Sequence, residues 1–317
     1  MRHVGNRCVF SIDVEDWFHI LEVPSAPPMA QWDKLPSRVE QNFLRLLELA
    51  AENGVRCTCF FVGWIARRYP HLVKAAVREG HEVASHGWAH RLASQMTPRE
   101  FYQDAALAKE VIAGISGYRV LGYRSAGFSL SAGNSWVFDE LLRAGYVYDA
   151  SVFPAARAHG GWRDAYQAPH QIERPLGTLS EFPMTIEKLL GQPLCFFGGG
   201  YLRLFPLSLI ERMTKRVLRQ GRPVIFYVHP REIDPAQPRL EMSRWRRFKT
   251  YVNLETTEAK LRYLLKSFEF STLADFLLPQ PGAMPKIKRR RTWLAKKTGY
   301  AEIGGVSRLP ARRERAL

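Results

Sequence analysis

An α/β fold built on a mainly parallel sheet is what this 317-residue sequence predicts, and two observations carry the prediction. Short β-rich runs alternate with helix-patterned stretches, the order that produces strand–helix–strand units. Polar residues of chemical interest also recur just where a strand run stops. Asp13 follows VFSI, His86 follows HEVAS, Arg124 follows VLGY, Asp149 follows YVY and His229 follows VIFYV. In a β/α barrel the C-terminal ends of the strands gather at one face, so these five side chains would meet although they are scattered along the chain.

The elements read in order as follows. Ser37-Arg38-Val39-Glu40 has the spacing of a capping box and opens a helix running towards Gly54. Residues 57–62 form a continuous apolar run suited to a buried strand, a helix follows from about Trp64 to Gly80, and residues 81–85 form a short strand. Thr97-Pro98-Arg99-Glu100 is a second capping box, with Pro at the first helical position where its missing N–H costs nothing. Strands at 120–123 and 146–149 flank the helix of SWVFDELLRAG. A helix at 206–220, a strand at 223–228, a helix at 257–267 and a last strand near 268–272 complete the pattern. Residues from about 166 to 200 lack regular periodicity and read as an elaborated loop. The organisation predicted is one domain over 1–280, with an elaborated segment at about 155–205, and a basic, disordered tail over 281–317.

Composition narrows the class. With 46% apolar and 12% aromatic residues the chain can fill a core, which excludes global disorder. The net charge is +16, but residues 281–317 hold eleven Lys/Arg against two Asp/Glu and so account for +9 of it. The basicity therefore belongs mostly to the tail and gives no reason to expect a nucleic-acid partner. Cys8, Cys57, Cys59 and Cys195 lack zinc-finger spacing and read as buried thiols. Asp13, Glu15 and Asp16 interrupt the short apolar run near the N-terminus, which argues against a signal peptide or a membrane span. The expectation is a cytoplasmic protein. The run KIKRRR at 286–291, followed by Trp293, suggests peripheral contact of the tail with the inner face of an anionic membrane, against the plainer reading of a solubilising tail. The sequence gives no oligomeric state.

The motifs carry more. In SHGWAH, His86 and His90 lie four apart and on a helical turn would share a face within reach of one divalent ion; the alternative is an ordinary hydrogen-bonded pair. Asp13, Glu15 and Asp16 place three carboxylates within four residues, and such crowding calls for a cation or an arginine unless the cluster is a solvated cap. Two neutral imidazoles and one carboxylate make a facial set for Zn²⁺ or another first-row ion. Taken alone, His229 reads as a satisfied core histidine and Arg124 with Asp149 as a structural ion pair; the combination points elsewhere.

Taken together, DVEDWF, then CTCFFVGWIARRYPHLVKAAVREGHEVASHGWAH, then GYRSAGFS, YDASVFP, GGGYLRLFP and FYVHPREID, in that order, closely resemble the polysaccharide deacetylases of the NodB-homology type, also called carbohydrate esterase family 4. The subgroup most similar is the one linked to exopolysaccharide loci of bacteria with the PEP-CTERM/exosortase system. The resemblance covers about residues 8–278 and implies a distorted (β/α) barrel with fewer than eight strands, acting on an acetylated polysaccharide or oligosaccharide. It implies one divalent ion, zinc first, with cobalt, nickel or manganese as alternatives. Metal ligands would be Glu15, His86 and His90, with Asp16 as alternative to Glu15. By resemblance Asp13 is the base, Arg124 orients it, His229 is the acid and Asp149 tunes that histidine. Trp17, Trp88, Ala126, Phe128 and Tyr201 would line the substrate groove, and a backbone N–H near Ala126–Gly127 would help to hold the oxyanion. Two departures stand out: Asp-Val-Glu-Asp replaces the adjacent Asp-Asp of many relatives, and Ala126 replaces the usual Pro after the arginine. A cyclic-amide hydrolase of allantoinase type on the same scaffold, and a non-catalytic carbohydrate-binding barrel, are the rival readings.

Overall fold

In the computed structural model, residues 7–157 and 159–278 are described; the predicted tail at 281–317 and its membrane contact lie outside them. In chain order the elements begin with β1 (Cys8–Val14), α1 (Val39–Glu52), β2 (Thr58–Phe61), α2 (Gly63–Arg68), α3 (Pro70–Arg78) and β3 (Glu82–Ser85). Then come α4 (Pro98–Ser116), β4 (Gly122–Tyr123), α5 (Val137–Arg143), β5 (Tyr148–Asp149), β6 (His170–Arg174), β7 (Gly177–Glu181), β8 (Glu187–Leu189) and β9 (Gln192–Leu194). The last third holds α6 (Gly199–Leu204), α7 (Leu207–Arg219), β10 (Val224–Val228), α8 (Arg244–Tyr251), α9 (Thr257–Ser267), β11 (Phe270–Ser271) and α10 (Leu273–Leu277).

The strands run in the order β10-β1-β2-β3-β4-β5-β7, every neighbour parallel, with β6 antiparallel at the β7 edge. β11 adds a short parallel pairing to Cys8 and Val9 at the start of β1. Alternation along the strands divides two cores. Phe10, Ile12, Cys59, Phe61, Val83, Val224 and Phe226 face the helices. Val9, Phe60, Ala84, Leu121, Tyr148, Ile225 and Tyr227 share a second cluster on the other face, the concave interior of a curled, half-barrel sheet. The architecture is thus the distorted, half-barrel α/β fold that the resemblance implies, although nine strands join the sheet among the described residues, where fewer than eight are expected. One close approach fixes the curl: a Cβ on Gly122 would lie 1.9 Å from the Tyr148 ring, so only glycine lets β4 and β5 pair here.

Three readings need revision. The single helix expected from Trp64 to Gly80 is two helices, because Pro70 forces the preceding Tyr69 out of helical geometry, at φ −125° and ψ 64°. The stretch at 166–200 is two hairpins rather than a loop, and β7 belongs to the main sheet. Ser37 does not cap α1 itself; its hydroxyl donates to the carboxylate of Asp16 at 2.5 Å. The Thr97–Glu100 capping box forms as read.

Candidate active site

The residues that end or follow β1, β3, β4 and β10 do converge at the C-terminal face of the sheet. On β1, period-two alternation sends Ser11 and Asp13 to the concave side. Both meet Arg124, which follows β4: its Nη1 donates to Asp13 Oδ1 at 2.6 Å and to Ser11 Oγ at 2.9 Å. The guanidinium is fully buried, lies over the Phe60 ring at 4.1 Å, and donates from Nε to the Ala150 carbonyl. Asp13 is therefore held on one oxygen while its other oxygen lies 3.9 Å from His229 Nε2.

Glu15 follows β1 through a tight turn, its N–H donating to the Asp13 carbonyl at 2.9 Å. Its Oε1 faces three imidazole Nε2 atoms, of His90 at 2.9 Å, His86 at 3.1 Å and His229 at 3.5 Å. Burial would raise the Glu15 carboxyl, but the charges of His90 and His229 and the hydrogen bonds of His86 and His90 outweigh it and hold it well below the usual range. His86 Nδ1 lies 2.7 Å from the Arg124 carbonyl, which can only accept, so Nδ1 carries a proton and Nε2 is the atom turned towards Glu15. His90 Nε2 is buried and lies closer still to the same oxygen. Lone pairs facing a carboxylate repel unless a cation or proton stands between them. Two imidazoles and a carboxylate with a partner fixing the far nitrogen of one ring is a donor set that fits a first-row divalent ion. A second triplet, Asp13, Glu15 and His229, overlaps this one through Glu15.

Asp16 is turned away from this centre. Its carboxylate accepts from the Trp17, Arg38 and Val39 N–H groups and from Ser37 Oγ, capping the turn at Trp17–His19 and the start of α1 together. With its oxygens committed to those donors, it is not placed as the alternative ligand, and geometry favours Glu15.

His229 follows β10, and its Nδ1 meets Glu232 Oε2 at 3.1 Å, not Asp149. The same carboxylate accepts the His229 N–H, and its Oε1 accepts from buried Arg203 Nε at 3.0 Å. Arg203 also donates to the carbonyls of Lys249, Thr250 and Val252. Burial pushes Glu232 up, but Arg203 and His229 bring it down to about 2. Asp149 instead bonds Ser151 at 2.6 Å and shares a hydrogen bond with Glu181 of β7. Burial raises both of these carboxyls, and each other's presence drives Glu181 well above the usual range. The expected tuning of His229 by Asp149 is thus corrected: a carboxylate three residues from the histidine occupies that place, because β5 aims Asp149 at β7. Glu232 and Arg203 could have been suspected from HPRE and GGGYLR, whereas Glu181 lay in a stretch read as loop.

The aromatic expectations divide. Trp17 is buried, donates from Nε1 to the Pro36 carbonyl and packs edge-on against Phe18, so it is core and not groove. Trp88 is half-buried beside Gly63. Ala126 and Phe128 are buried; Phe128 adopts φ 54° and packs against Tyr227 and Phe153, with Arg157 4.9 Å over its ring. Tyr201 stacks on Phe205 on α6 and is 40% exposed. Arg231, which sequence reading passed over, brings Nη2 to 3.7 Å from Glu15 Oε2.

The sequence profile of the polysaccharide deacetylases matches residues 28–146. Residues 150–278 match a domain of unknown function, DUF3473. A peptidoglycan-N-acetylglucosamine deacetylase of Bacillus cereus is 27% identical over 133 residues, 41% of this chain and 52% of its own length. A chitooligosaccharide deacetylase of a Bradyrhizobium species is 31% identical over 67 residues, 21% of this chain and 31% of its own. The chain thus spans about half, or less, of the length of these curated relatives. Among solved structures, a Mycobacterium smegmatis protein assigned to the polysaccharide deacetylases superposes with a TM-score of 0.59 at 17% identity, over 89% of this chain and 96% of that one. Puue allantoinase reaches the same TM-score at 14% identity, over 87% and 90%. Both likenesses are of fold.

Proposed function

We propose that this deacetylase-fold chain hydrolyses N-acetyl groups of amino sugars in a polysaccharide, using one divalent ion, zinc first. The observation that carries the reading is the Glu15 carboxylate facing the Nε2 atoms of His86 and His90, beside an Asp13 locked on Arg124. Glu15, His86 and His90 would hold the ion. When bound, it would supply Lewis acidity towards a water and the acetyl carbonyl. Asp13, fixed on one oxygen by Arg124, takes the proton of the attacking water with the other. As the water oxygen bonds to the carbonyl carbon and the C–N bond breaks, His229 Nε2 gives a proton to the departing nitrogen. Glu232 fixes the tautomer by holding the proton of Nδ1. Acetate and a free amino sugar leave. Trp88, Phe128 and Tyr201 remain the groove candidates.

The names of the curated relatives favour an acetylated glycan over a cyclic amide, since the allantoinase likeness concerns the fold. Resemblance to exopolysaccharide-locus proteins makes exopolysaccharide synthesis, at the cytoplasmic side of the membrane, the proposed setting. No helix among the described residues is long and apolar enough to cross a membrane. The test is incubation of metal-loaded protein with N-acetylglucosamine oligomers, reading released acetate. Chelation should abolish release, and Glu15→Ala should lose both the ion and the activity. Ring opening of allantoin without acetate release, or full activity in metal-stripped protein, would overturn the reading.

A further inference from the structure

We infer that α8, with the adjoining face of α6, is a docking surface for an anionic lipid bilayer. Helix α8 reads RWRRFKTY: Arg244, Arg246, Arg247 and Lys249 stand among eight residues that include no acid. Trp245 and Phe248, one turn apart, are 66% and 44% exposed and lie ring on ring at 5.8 Å and 16°. Lys249 Nζ sits 5.5 Å over the Trp245 ring. Tyr201 and Leu204 of the contacting α6 are 40% and 41% exposed. Four of the ten exposed large apolar side chains among the described residues thus fall on these two short helices. Single exposed apolar residues are ordinary, but a cluster interleaved with cations calls for an interaction partner.

The inner side of α8 is already committed. Arg246 donates to the Leu21 carbonyl at 2.7 Å, and Arg203 from α6 collects the carbonyls of Lys249 and Thr250. The helix is bolted to the rim that carries Glu15 and His229, leaving its aromatic and cationic side chains free to face outwards. Aromatics with a polar tip or edge favour the headgroup level of a bilayer, and arginines around them favour anionic lipid. Charge complementarity selects that occupant over a neutral glycan, which would use ring faces without needing the three outward cations Arg244, Arg247 and Lys249. Leu204 likewise suits acyl chains and offers nothing to a sugar. The α8 residues of this surface take no part in the proposed activity and are distinct from the basic tail.

The experiment is sedimentation of the full chain with vesicles of phosphatidylcholine alone or mixed with phosphatidylglycerol, over a range of salt. Wild type should sediment with the mixed vesicles and be released as salt rises. Two variants, Trp245→Ala/Phe248→Ala and Arg244→Glu/Arg247→Glu, should each weaken that binding by roughly tenfold or more. Their thermal unfolding should match wild type, so that loss of binding is not loss of fold. If both folded variants sediment like wild type, the tail does the binding and the inference falls. It falls equally if wild type ignores anionic vesicles, binds phosphatidylcholine alone as well, or instead binds soluble acetylated glycan through these residues.

Discussion

Glu15 and Glu181 are both buried carboxyl groups at the C-terminal ends of parallel strands, yet their neighbours drive them in opposite directions. Burial alone would raise both. Glu15 sits among the imidazoles of His90, His229 and His86 and falls well below the ordinary range. Glu181 sits against Asp149 and rises well above it. Two acids that face each other in a dry interior share a proton; two acids that face bases or an arginine keep their charge. Depth therefore says little about which buried acids of this barrel can react, and the sign of the neighbours says a great deal.

The largest effect expected from that contrast is on Asp13, the acid that Arg124 holds at 2.6 Å. Asp13→Asn should lower turnover by roughly 10²–10⁴-fold, the range of a lost general base, while metal content persists. Near-normal turnover measured on the true substrate would end the assignment. A smaller effect of a different kind is expected at Asp16, which shares its stretch of chain with Glu15 but serves the backbone. Asp16→Ala strands several N–H groups and should cost about 1–3 kcal/mol of stability, read by denaturant unfolding, with the bound ion retained. Loss of the ion would move the ligand role to Asp16. The mildest change is Glu181→Gln, which keeps a hydrogen bond to Asp149 and should leave turnover close to wild type. A carboxyl raised in the folded state adds stability below its unfolded pKa, and this is lost as pH climbs towards the folded value. Unfolding of wild type followed upwards from about pH 4.5 should show that decline, and Glu181→Gln should lack it.

The sequence discloses the strand-end residues well, because their place depends only on where a β run stops. Asp13, Glu15, His86, Arg124 and His229 needed no knowledge of packing beyond the gathering of strand ends. What it hides is direction. Asp149 also ends a strand, but whether it reaches His229 or β7 depends on which strand lies beside β5. That neighbour, β7, came from a stretch of weak alternation. Trp17 reads as a groove aromatic from its closeness to the acids, yet the cap that Asp16 makes turns it inwards to the Pro36 carbonyl. Glu232 is easily passed over since a His–Glu pair three apart is common at a helical turn.

Strand β1 comes first in chain order among the described strands and lies one in from the β10 edge of the sheet, with β2 on one side and β10 on the other. Residues Cys8 to Ile12, which lead into Asp13 and Glu15, are registered against Val224 to Val228, more than two hundred positions later. A chain leaving the ribosome carries both acids and both close histidines long before it can seat them. Closing so long a loop costs entropy that only the completed β10 pairing returns. The face that gathers Asp13, Glu15 and His229 is consequently a late event in folding, and a nascent or clipped chain that lacks β10 has the ingredients of the candidate site without its shape.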